Sequence, residues 1–291
     1  MAGRTHEPRP AGHDGSARSR TALRGRYGPP ARLSSRDCPA TTGAAGPSRT
    51  GSAAHVVVRS RKDLETHTSA MSGYPAPVTF LVLPGVYAPQ EDTALLAEAL
   101  HEEAPPPGAR VLDVGTGSGA LALAAARYGA DVTAVDVSRR AVWTARLNAW
   151  LSRLPVRIRR GNLFGPVHDR TYDLILANPP YVPAPHTGRG RSRAWDAGQD
   201  GRLLLDRICR DAPPLLHSGG VLLFVQSALS GPERSLELLR GAGLKAAVTR
   251  RRWIALGPVL RSREEWLRRR GLLATSDERE ELVVIRAERV P

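Results

Sequence analysis

A glycine-rich segment, Asp113-Val-Gly-Thr-Gly-Ser-Gly119, follows a short apolar run and precedes a helical pattern. This order predicts a tight turn between a strand and a helix, whose backbone N–H groups face a ligand. Asp136 ends the next apolar run, 21 residues after Gly115, a spacing that suits a carboxylate bound to a ribose diol. We therefore predict a pocket for a nucleoside-containing cofactor. Its predicted binding residues are Asp113, Gly115, Thr116, Gly117, Gly119 and Asp136.

A second segment, Asn178-Pro179-Pro180-Tyr181, follows the apolar run Asp-Leu-Ile-Leu-Ala, which places it at the carboxyl edge of the same predicted sheet. A planar amide or exocyclic amine nitrogen is a poor nucleophile because its lone pair is delocalised. The side-chain oxygen of Asn178 and the carbonyl of Pro179 can each accept one N–H of such a nitrogen and hold its lone pair towards an electrophilic group in the neighbouring pocket. The two prolines stiffen the loop, and Tyr181 can stack on the planar group. An isolated Asn-Pro-Pro is usually only a turn, so the position after this strand carries the catalytic interpretation.

Strand and helix patterns alternate from about residue 90 onwards. The predicted strands cover 111–114, 132–137, 156–159, 173–177, 221–226, 246–256 and 281–286, and the predicted helices cover 90–100, 120–128, 138–151, 200–216 and 232–240. Such alternation indicates an α/β fold with a parallel sheet that helices cover on both faces.

A family resemblance follows from these segments. Glycines spaced G-x-G-x-G after Asp are typical of the S-adenosylmethionine sites of class I methyltransferases, whereas a dinucleotide site reads G-x-G-x-x-G. Over about residues 80–290 the sequence resembles the HemK/PrmC-type protein-glutamine N5-methyltransferases, in particular their short branch without an N-terminal helical domain. The matching segments are GVYAPQEDTALL, VLDVGTGSG, VTAVDVS, GNLFGPV, NPPYVP and AWDAGQDGRLLLDRI. The resemblance implies a class I, Rossmann-like methyltransferase fold with a seven-stranded, mostly parallel sheet, and S-adenosylmethionine as the cofactor.

The resemblance also implies roles for individual residues. It adds to the cofactor-binding residues Gln90, Glu91, Asp92, Thr93, Asn162, Leu163 and Asn178, and it implies substrate binding by Asn178, Tyr181 and Trp195, with Asp200 and Gly201 shaping the pocket. Two positions depart from the family pattern. Asn162 stands where Asp is common, although its oxygen can still accept a hydrogen bond from the adenine amino group, and Ala197 replaces a usual Gly.

The first 70 residues differ from the rest in composition. Gly, Pro, Ser, Ala and Thr make up more than half of them, and 12 Lys and Arg stand against 5 Asp and Glu. Such a segment cannot bury enough apolar surface to offset its ordering entropy. We predict a disordered extension over 1–70 and a methyltransferase domain over 71–291. Met71 stands where the composition becomes globular, so a translation start at Met71 is the alternative for this region.

Composition limits the remaining possibilities. The chain of 291 residues has a net charge of +14, carried almost entirely by arginine, which mildly favours a nucleic-acid partner and also fits a GC-rich coding preference. Its apolar runs are too short for a membrane span or a secretory signal. Cys38 and Cys209 are too few for a disulfide framework, and neither they nor the histidines have metal-ligand spacing. We therefore predict a cytoplasmic protein with no membrane contact and no metal.

One predicted function and two alternatives result. The prediction is methylation of the side-chain amide of a protein glutamine, and the resemblance implies a translation release factor as substrate and a small activator subunit as partner. Adenine N6-methylation of nucleic acid is the first alternative, because adenine presents the same N–H₂ group to Asn178. The absence of a separate target-recognition domain from the sequence pattern opposes it. A non-catalytic S-adenosylmethionine-binding subunit is the second alternative, and the intact Asn-Pro-Pro-Tyr segment argues against it.

Overall fold

The computed structural model describes residues 55–59, 67–70, 79–185, 195–274 and 276–291. Its strands are β1 (His55–Arg59), β2 (His67–Ala70), β3 (Thr79–Leu81), β4 (Arg110–Val114), β5 (Asp131–Asp136), β6 (Val156–Arg160), β7 (Tyr172–Ala177), β8 (Leu216–Ser227), β9 (Leu244–Ala255) and β10 (Arg279–Arg289). Its α-helices are α1 (Glu91–Glu103), α2 (Ala120–Ala126), α3 (Arg139–Ser152), α4 (Leu205–Asp211), α5 (Pro232–Gly241), α6 (Pro258–Arg261) and α7 (Glu264–Arg269).

Seven strands form the main sheet in the order β6-β5-β4-β7-β8-β10-β9. The first five are mutually parallel, and β10 runs antiparallel to both β8 and β9. This is the seven-stranded, mostly parallel sheet that the sequence predicts. Because β10 runs against its neighbours, its first residues lie at the same edge as the carboxyl ends of β7 and β8.

The core lies at the middle of the sheet. Leu112 of β4 and Ile175 of β7 are completely buried, as are Phe224 of β8 and Ile285 of β10. Strands that helices cover on both faces are apolar along their whole length rather than alternating, and the central strands of this sheet follow that pattern. The polar side chains collect where the strands end.

From residue 90 onwards, the predicted elements agree with the observed ones except in two places. The helix predicted over 200–216 begins only at Leu205, because the residues before it form a turn with Gly201 at φ +73°. A short 3₁₀ helix and the first residues of β8 occupy the end of that prediction. The helices α6 and α7, inserted between β9 and β10, are not predicted at all. They pack around a small separate cluster that includes Leu256, Leu260 and Leu267.

The extension predicted as disordered over 1–70 lies mostly outside the described residues, and its disorder stays a prediction. Two short strands fall within it. The β-branched run of β1 pairs antiparallel with β2 and parallel with β3 in a small three-stranded sheet. The boundary at residue 71 stays a prediction. No helix among the described residues is long and apolar enough to cross a membrane.

Candidate active site

A cavity of about 390 Å³ opens at the carboxyl edge of the parallel strands. It extends from the turn after β4 to the loop after β7, the two segments whose chemistry the sequence indicates. The predicted site residues in its wall are Asp92, Thr93, Gly115, Thr116, Gly117, Asp136, Asn162, Leu163, Asn178, Pro179, Pro180, Tyr181 and Trp195. The predicted residues outside the wall are Gln90, Glu91, Asp113, Gly119, Asp200 and Gly201. The parallel sheet therefore brings most of the predicted residues together.

The turn after β4 forms one end of the cavity. Gly115 adopts φ +75°, and a Cβ built on it would meet no protein atom within 4 Å, so this position opens onto free space in the cavity wall. A side chain there would fill the space that a ligand needs. The turn thus forms a cradle lined by backbone, which fits the close approach of S-adenosylmethionine.

Asp113 supports this turn from behind. Its carboxylate accepts hydrogen bonds from the Thr116 hydroxyl at 2.6 Å and from the backbone N–H of Ala122 at 3.1 Å. Burial raises the pKa of Asp113 to about 7, although these two hydrogen bonds lower it in part. The side chain is buried and is not among the residues of the cavity wall, and its contacts support the turn. Its role in binding the cofactor stays a prediction.

Asp136 lies at the end of β5 and in the cavity wall. Its two oxygens accept the backbone N–H groups of Gly117 at 2.9 Å and Ser138 at 2.8 Å. Burial raises the pKa of Asp136, and these backbone hydrogen bonds oppose that shift. Each carboxylate oxygen has a second lone pair, which leaves the group able to accept hydroxyl groups of a ribose. Asn162 and Leu163 line the same end of the cavity.

The loop after β7 carries Asn178 at the other end. The Asn178 side-chain amide donates to the Thr93 hydroxyl at 3.2 Å, so its Nδ2 is held by α1 and its Oδ1 remains to accept a hydrogen bond. The Thr93 hydroxyl in turn donates to Asp92 at 3.2 Å. The orientation of the Asn178 amide thus depends on a residue 85 positions earlier in the chain.

Asp92 is the centre of a buried network beneath this loop. Its Oδ2 accepts the hydroxyl groups of Tyr87 at 2.8 Å and Tyr181 at 3.1 Å. Burial, with the nearby charge of Asp92, raises the pKa of both tyrosines well above the usual value, so both hydroxyls stay protonated and donate. Asp92 therefore fixes the ring of Tyr181 by accepting its hydroxyl. Tyr87, which donates to the same oxygen, is not predicted from the sequence as a residue of the site.

Glu280 is a second residue that the sequence analysis missed. It is the second residue of β10, is 7% exposed, and has no hydrogen-bond partner for Oε2 among the described residues. Burial raises the pKa of Glu280 to about 7, and the charge of Asp92 adds to the shift. In the sequence, Glu280 lies in the charged run Asp-Glu-Arg-Glu-Glu, which gives no sign of burial. Glu280 reaches the edge of the sheet that carries the cavity because β10 runs antiparallel to β8.

Trp195 reaches the cavity through a short two-stranded clip, which we define as residues 181–185 and 195–198. Val182 and Asp196 form its bridge, and backbone hydrogen bonds join Val182 to Trp195 and Ala197. Arg263, between α6 and α7, spans both sides: its guanidinium donates to the Pro183 carbonyl at 3.1 Å and pairs with the Asp196 carboxylate. The inserted helices therefore fix the clip.

The predicted Asp-Gly segment supports the same loop from the opposite side. A Cβ on Gly201 would collide with the backbone oxygen of Tyr181, so the close contact requires glycine. The next residue, Arg202, is 4% exposed and donates to Gly231 O at 2.7 Å and to the backbone oxygen of Ser230. The Ser230 hydroxyl completes the support by donating to Tyr181 O at 2.6 Å. Neither Asp200 nor Gly201 touches the cavity, and their effect on it is indirect.

Within the described residues, no group of three His, Cys, Asp or Glu side chains could hold a metal ion. The buried Cys209 is a free thiol whose pKa burial raises to about 11. The wall of the cavity combines aliphatic and aromatic side chains with backbone groups, amides, hydroxyls and carboxylates.

The chain is similar in sequence to proteins of known families. The family described as Methyltransferase small domain matches residues 77–247. A Methanocaldococcus jannaschii protein with the provisional name protein N5-glutamine methyltransferase is 35% identical over 172 residues, which are 58% of this chain and 85% of the relative. The release factor glutamine methyltransferase of Geobacter sulfurreducens is 37% identical over 154 residues, which are 50% of this chain and 54% of the relative.

Among solved structures, the fold is similar to that of a chain in the Mtq2–Trm112 complex of E. cuniculi, which is described as responsible for methylation of the eRF1 translation termination factor. The two chains are 24% identical and superpose with a TM-score of 0.49, and the match covers 70% of this chain and 99% of the chain in that complex. The family match covers more than half of the sequence. The chain belongs to the Methyltransferase small domain family and is an S-adenosylmethionine-dependent methyltransferase.

Proposed function

We propose that this enzyme methylates the side-chain amide nitrogen of a glutamine in a protein. The observation that carries the proposal is the hydrogen bond from Asn178 to Thr93, because it leaves the Asn178 oxygen in the cavity wall to accept an N–H. The names of relatives support the acceptor. The M. jannaschii and G. sulfurreducens proteins are named as glutamine methyltransferases, and a Bradyrhizobium relative is named for glutamine in ribosomal protein uL3.

The chemistry of the acceptor explains the arrangement. S-adenosylmethionine supplies an electrophilic methyl group when bound. Asn178 Oδ1 and the Pro179 carbonyl accept the two N–H bonds of the glutamine amide and hold the nitrogen lone pair towards that methyl group. These hydrogen bonds strengthen as positive charge develops on the nitrogen, so they stabilise the transition state more than the ground state. The nitrogen becomes acidic and loses its proton late, so no strong base is required.

The surrounding residues keep the acceptor site rigid. Tyr181 is 8% exposed and is held by Asp92 through its hydroxyl and by Ser230 through its backbone oxygen. Its ring lines the cavity, and in this proposal it forms one wall of the slot for the planar amide. Trp195, fixed by the clip and Arg263, forms a second wall. A slot built from planar side chains suits a planar acceptor, and the proton that the methylated nitrogen releases passes to solvent in the open cavity.

The proposal also specifies the bounds of the catalytic domain and the kind of protein that accepts the methyl group. We assign the catalytic domain to residues 71–291 and the acceptor to a protein of the translation machinery, with a release factor first because several relatives are named for it. A small activator subunit and a cytoplasmic location remain predictions from the sequence.

Labelled methyl transfer tests the proposal. The purified chain is incubated with tritiated S-adenosylmethionine and an extract from cells that lack the enzyme, and the product is treated with RNase or with protease. We expect RNase-resistant, protease-sensitive label that mass spectrometry maps to a glutamine. Label lost to RNase would favour adenine instead, and tight cofactor binding without transfer, with or without extract proteins, would favour the non-catalytic subunit.

A further inference from the structure

One face of the molecule combines arginine and tryptophan, and we name it the Arg–Trp face. It consists of α3 and β6 with the loop between them, residues 139–160, which contain seven arginines and no Asp or Glu. Trp143 is 65% exposed and Trp150 is 73% exposed. A single exposed apolar side chain is ordinary, but an exposed apolar patch rimmed by polar residues often marks a binding surface, and here two indole rings stand together among cations.

Most of the positive charge on this face is not neutralised. Arg157 pairs with Asp131, whereas Arg139 and Arg153 have no carboxylate partner among the described residues. The other four guanidinium groups donate to backbone carbonyls, which orient them and leave their charge in place. These pairs are Arg140 with Pro84, Arg146 with Ile158, Arg159 with Pro166 and Arg160 with Val137.

The two tryptophans lie on the same side of α3. They are seven residues apart, which is two helical turns or about 10 Å along the axis. The exposed Leu147 stands between them, and the Arg146 guanidinium carbon lies 6.0 Å from the centre of the Trp143 ring. The face thus presents a row of flat apolar groups with cations along its length.

We propose that the Arg–Trp face binds single-stranded nucleic acid. Phosphates along a strand match the row of uncompensated guanidinium groups, and unpaired bases stack on exposed indole rings. A duplex offers the same charge but hides its base faces, so the tryptophans favour a single strand. Seven of the chain's 42 Lys and Arg residues lie in this segment, and the proposed methyl-transfer chemistry does not use them.

The face touches the cavity only at the cofactor end, where Ala141 in the first turn of α3 lines the wall. The β6 strand forms one edge of the main sheet, and Asn178 follows β7, three strand positions away, or about 14 Å. A nucleic-acid strand stacked on Trp143 and Trp150 is therefore nearer to the cofactor end of the cavity than to Asn178 at the acceptor end. In this proposal, the Arg–Trp face holds the enzyme on a nucleic acid. This binding does not depend on which molecule accepts the methyl group.

Fluorescence anisotropy of the full chain tests this proposal, with a labelled 12-nucleotide RNA, DNA of the same sequence, and the corresponding duplex. We expect single strands to bind more tightly than the duplex, with a log–log salt slope of about −3 to −4 for four to six phosphate contacts. Replacing both Trp143 and Trp150 by Ala is expected to weaken binding at least about tenfold. Charge reversal at Arg139 and Arg153 is expected to flatten the salt slope by about 0.7 for each lost contact.

Matched controls lie elsewhere on the surface. Trp253→Ala on β9, at 57% exposure, and Arg210→Glu on α4 should leave binding unchanged. Asn178→Ala should retain binding while it loses methyl transfer, which separates this proposal from the proposed function. Equal affinity for single-stranded RNA and DNA would support a site for single strands of either kind. A preference for RNA would support a site for single-stranded RNA. No binding, equal binding of the duplex, unchanged binding by the double Trp variant, or a dimer that the same substitutions dissociate would overturn the proposal.

Discussion

The two ends of the cavity are built in different ways. At the cofactor end, the supporting contacts are short in sequence: Asp113 binds Thr116 and Ala122, and Asp136 binds Gly117 and Ser138. At the acceptor end, the residues in contact are far apart in the sequence: Thr93 contacts Asn178 across 85 positions, and Asp92 contacts Tyr181 across 89 positions. Residues of α1, the inserted helices and β10 converge on a loop that follows β7.

This difference shows how the two tasks are separated. A cofactor common to many enzymes can be held by one strand–turn–helix unit whose shape its own residues determine. A protein-specific acceptor requires a slot, and the slot here is assembled from distant parts of the chain. Substitutions at one end should therefore change one function and leave the other intact.

The largest expected effect is that of Asn178→Ala at the acceptor end. Loss of one preorganised hydrogen-bond acceptor should lower the rate of methyl transfer about 10²- to 10³-fold. The dissociation constant for S-adenosylmethionine, measured by calorimetry, should stay unchanged because the cofactor end keeps its own contacts. A wild-type rate on a glutamine peptide would show that the loop is only a turn.

The next effect concerns the buried carboxyl group of Glu280. Its pKa is raised from 4.5 to about 7, so the folded protein retains a proton that the unfolded chain has already released between these pH values. Stability is therefore lost as the pH rises through this interval. Relative to the wild type, Glu280→Gln should gain about 3 kcal/mol in the free energy of unfolding between pH 4.5 and pH 8.

Urea denaturation at several pH values measures this gain, and Glu281→Gln, at the neighbouring and partly exposed position of β10, is the control. A constant difference between wild type and Glu280→Gln across the pH range would show that Glu280 titrates normally and is not buried against Asp92.

A smaller effect is expected at the cofactor end from Asp136→Ala. The substitution removes a carboxylate that accepts the Gly117 N–H and lies where a ribose would bind, so cofactor affinity should fall by about 1–3 kcal/mol. The rate at saturating cofactor should change little. Calorimetry and saturation kinetics measure both quantities, and an unchanged affinity would contradict the assignment of this end to the cofactor.

The smallest effect tests the clip. Lys at position 263 keeps the charge but cannot donate to Pro183 O and to Asp196 with the fork geometry of Arg. We expect Arg263→Lys to raise the KM for the methyl acceptor about five- to tenfold while cofactor affinity stays constant. Arg261→Lys, whose guanidinium binds Leu256 O and not the clip, is the matched control. Equal KM values for the methyl acceptor in the two variants would show that Arg263 does not influence binding of the acceptor.

The same contrast explains which features the sequence predicts. The main strands, the glycine turn and Asp136 follow from local patterns, because periodicity and spacing report short-range structure. The helices α6 and α7 escape prediction because they are short and cover a small cluster of their own. Glu280 and Arg263 escape because each acquires its partner only when β10 and the insertion pack beside the loop. Asp113 is found by its motif, but its burial behind the turn is a property of the folded chain.

The antiparallel course of β10 has a consequence for the order of events during synthesis. The cofactor end consists of β4, α2 and β5, which leave the ribosome early and make their supporting contacts among themselves. The acceptor end receives Glu280 only after every other described element has been made. A growing chain can therefore form the turn after β4 well before β10 brings Glu280 beside the network of Asp92 beneath the catalytic loop.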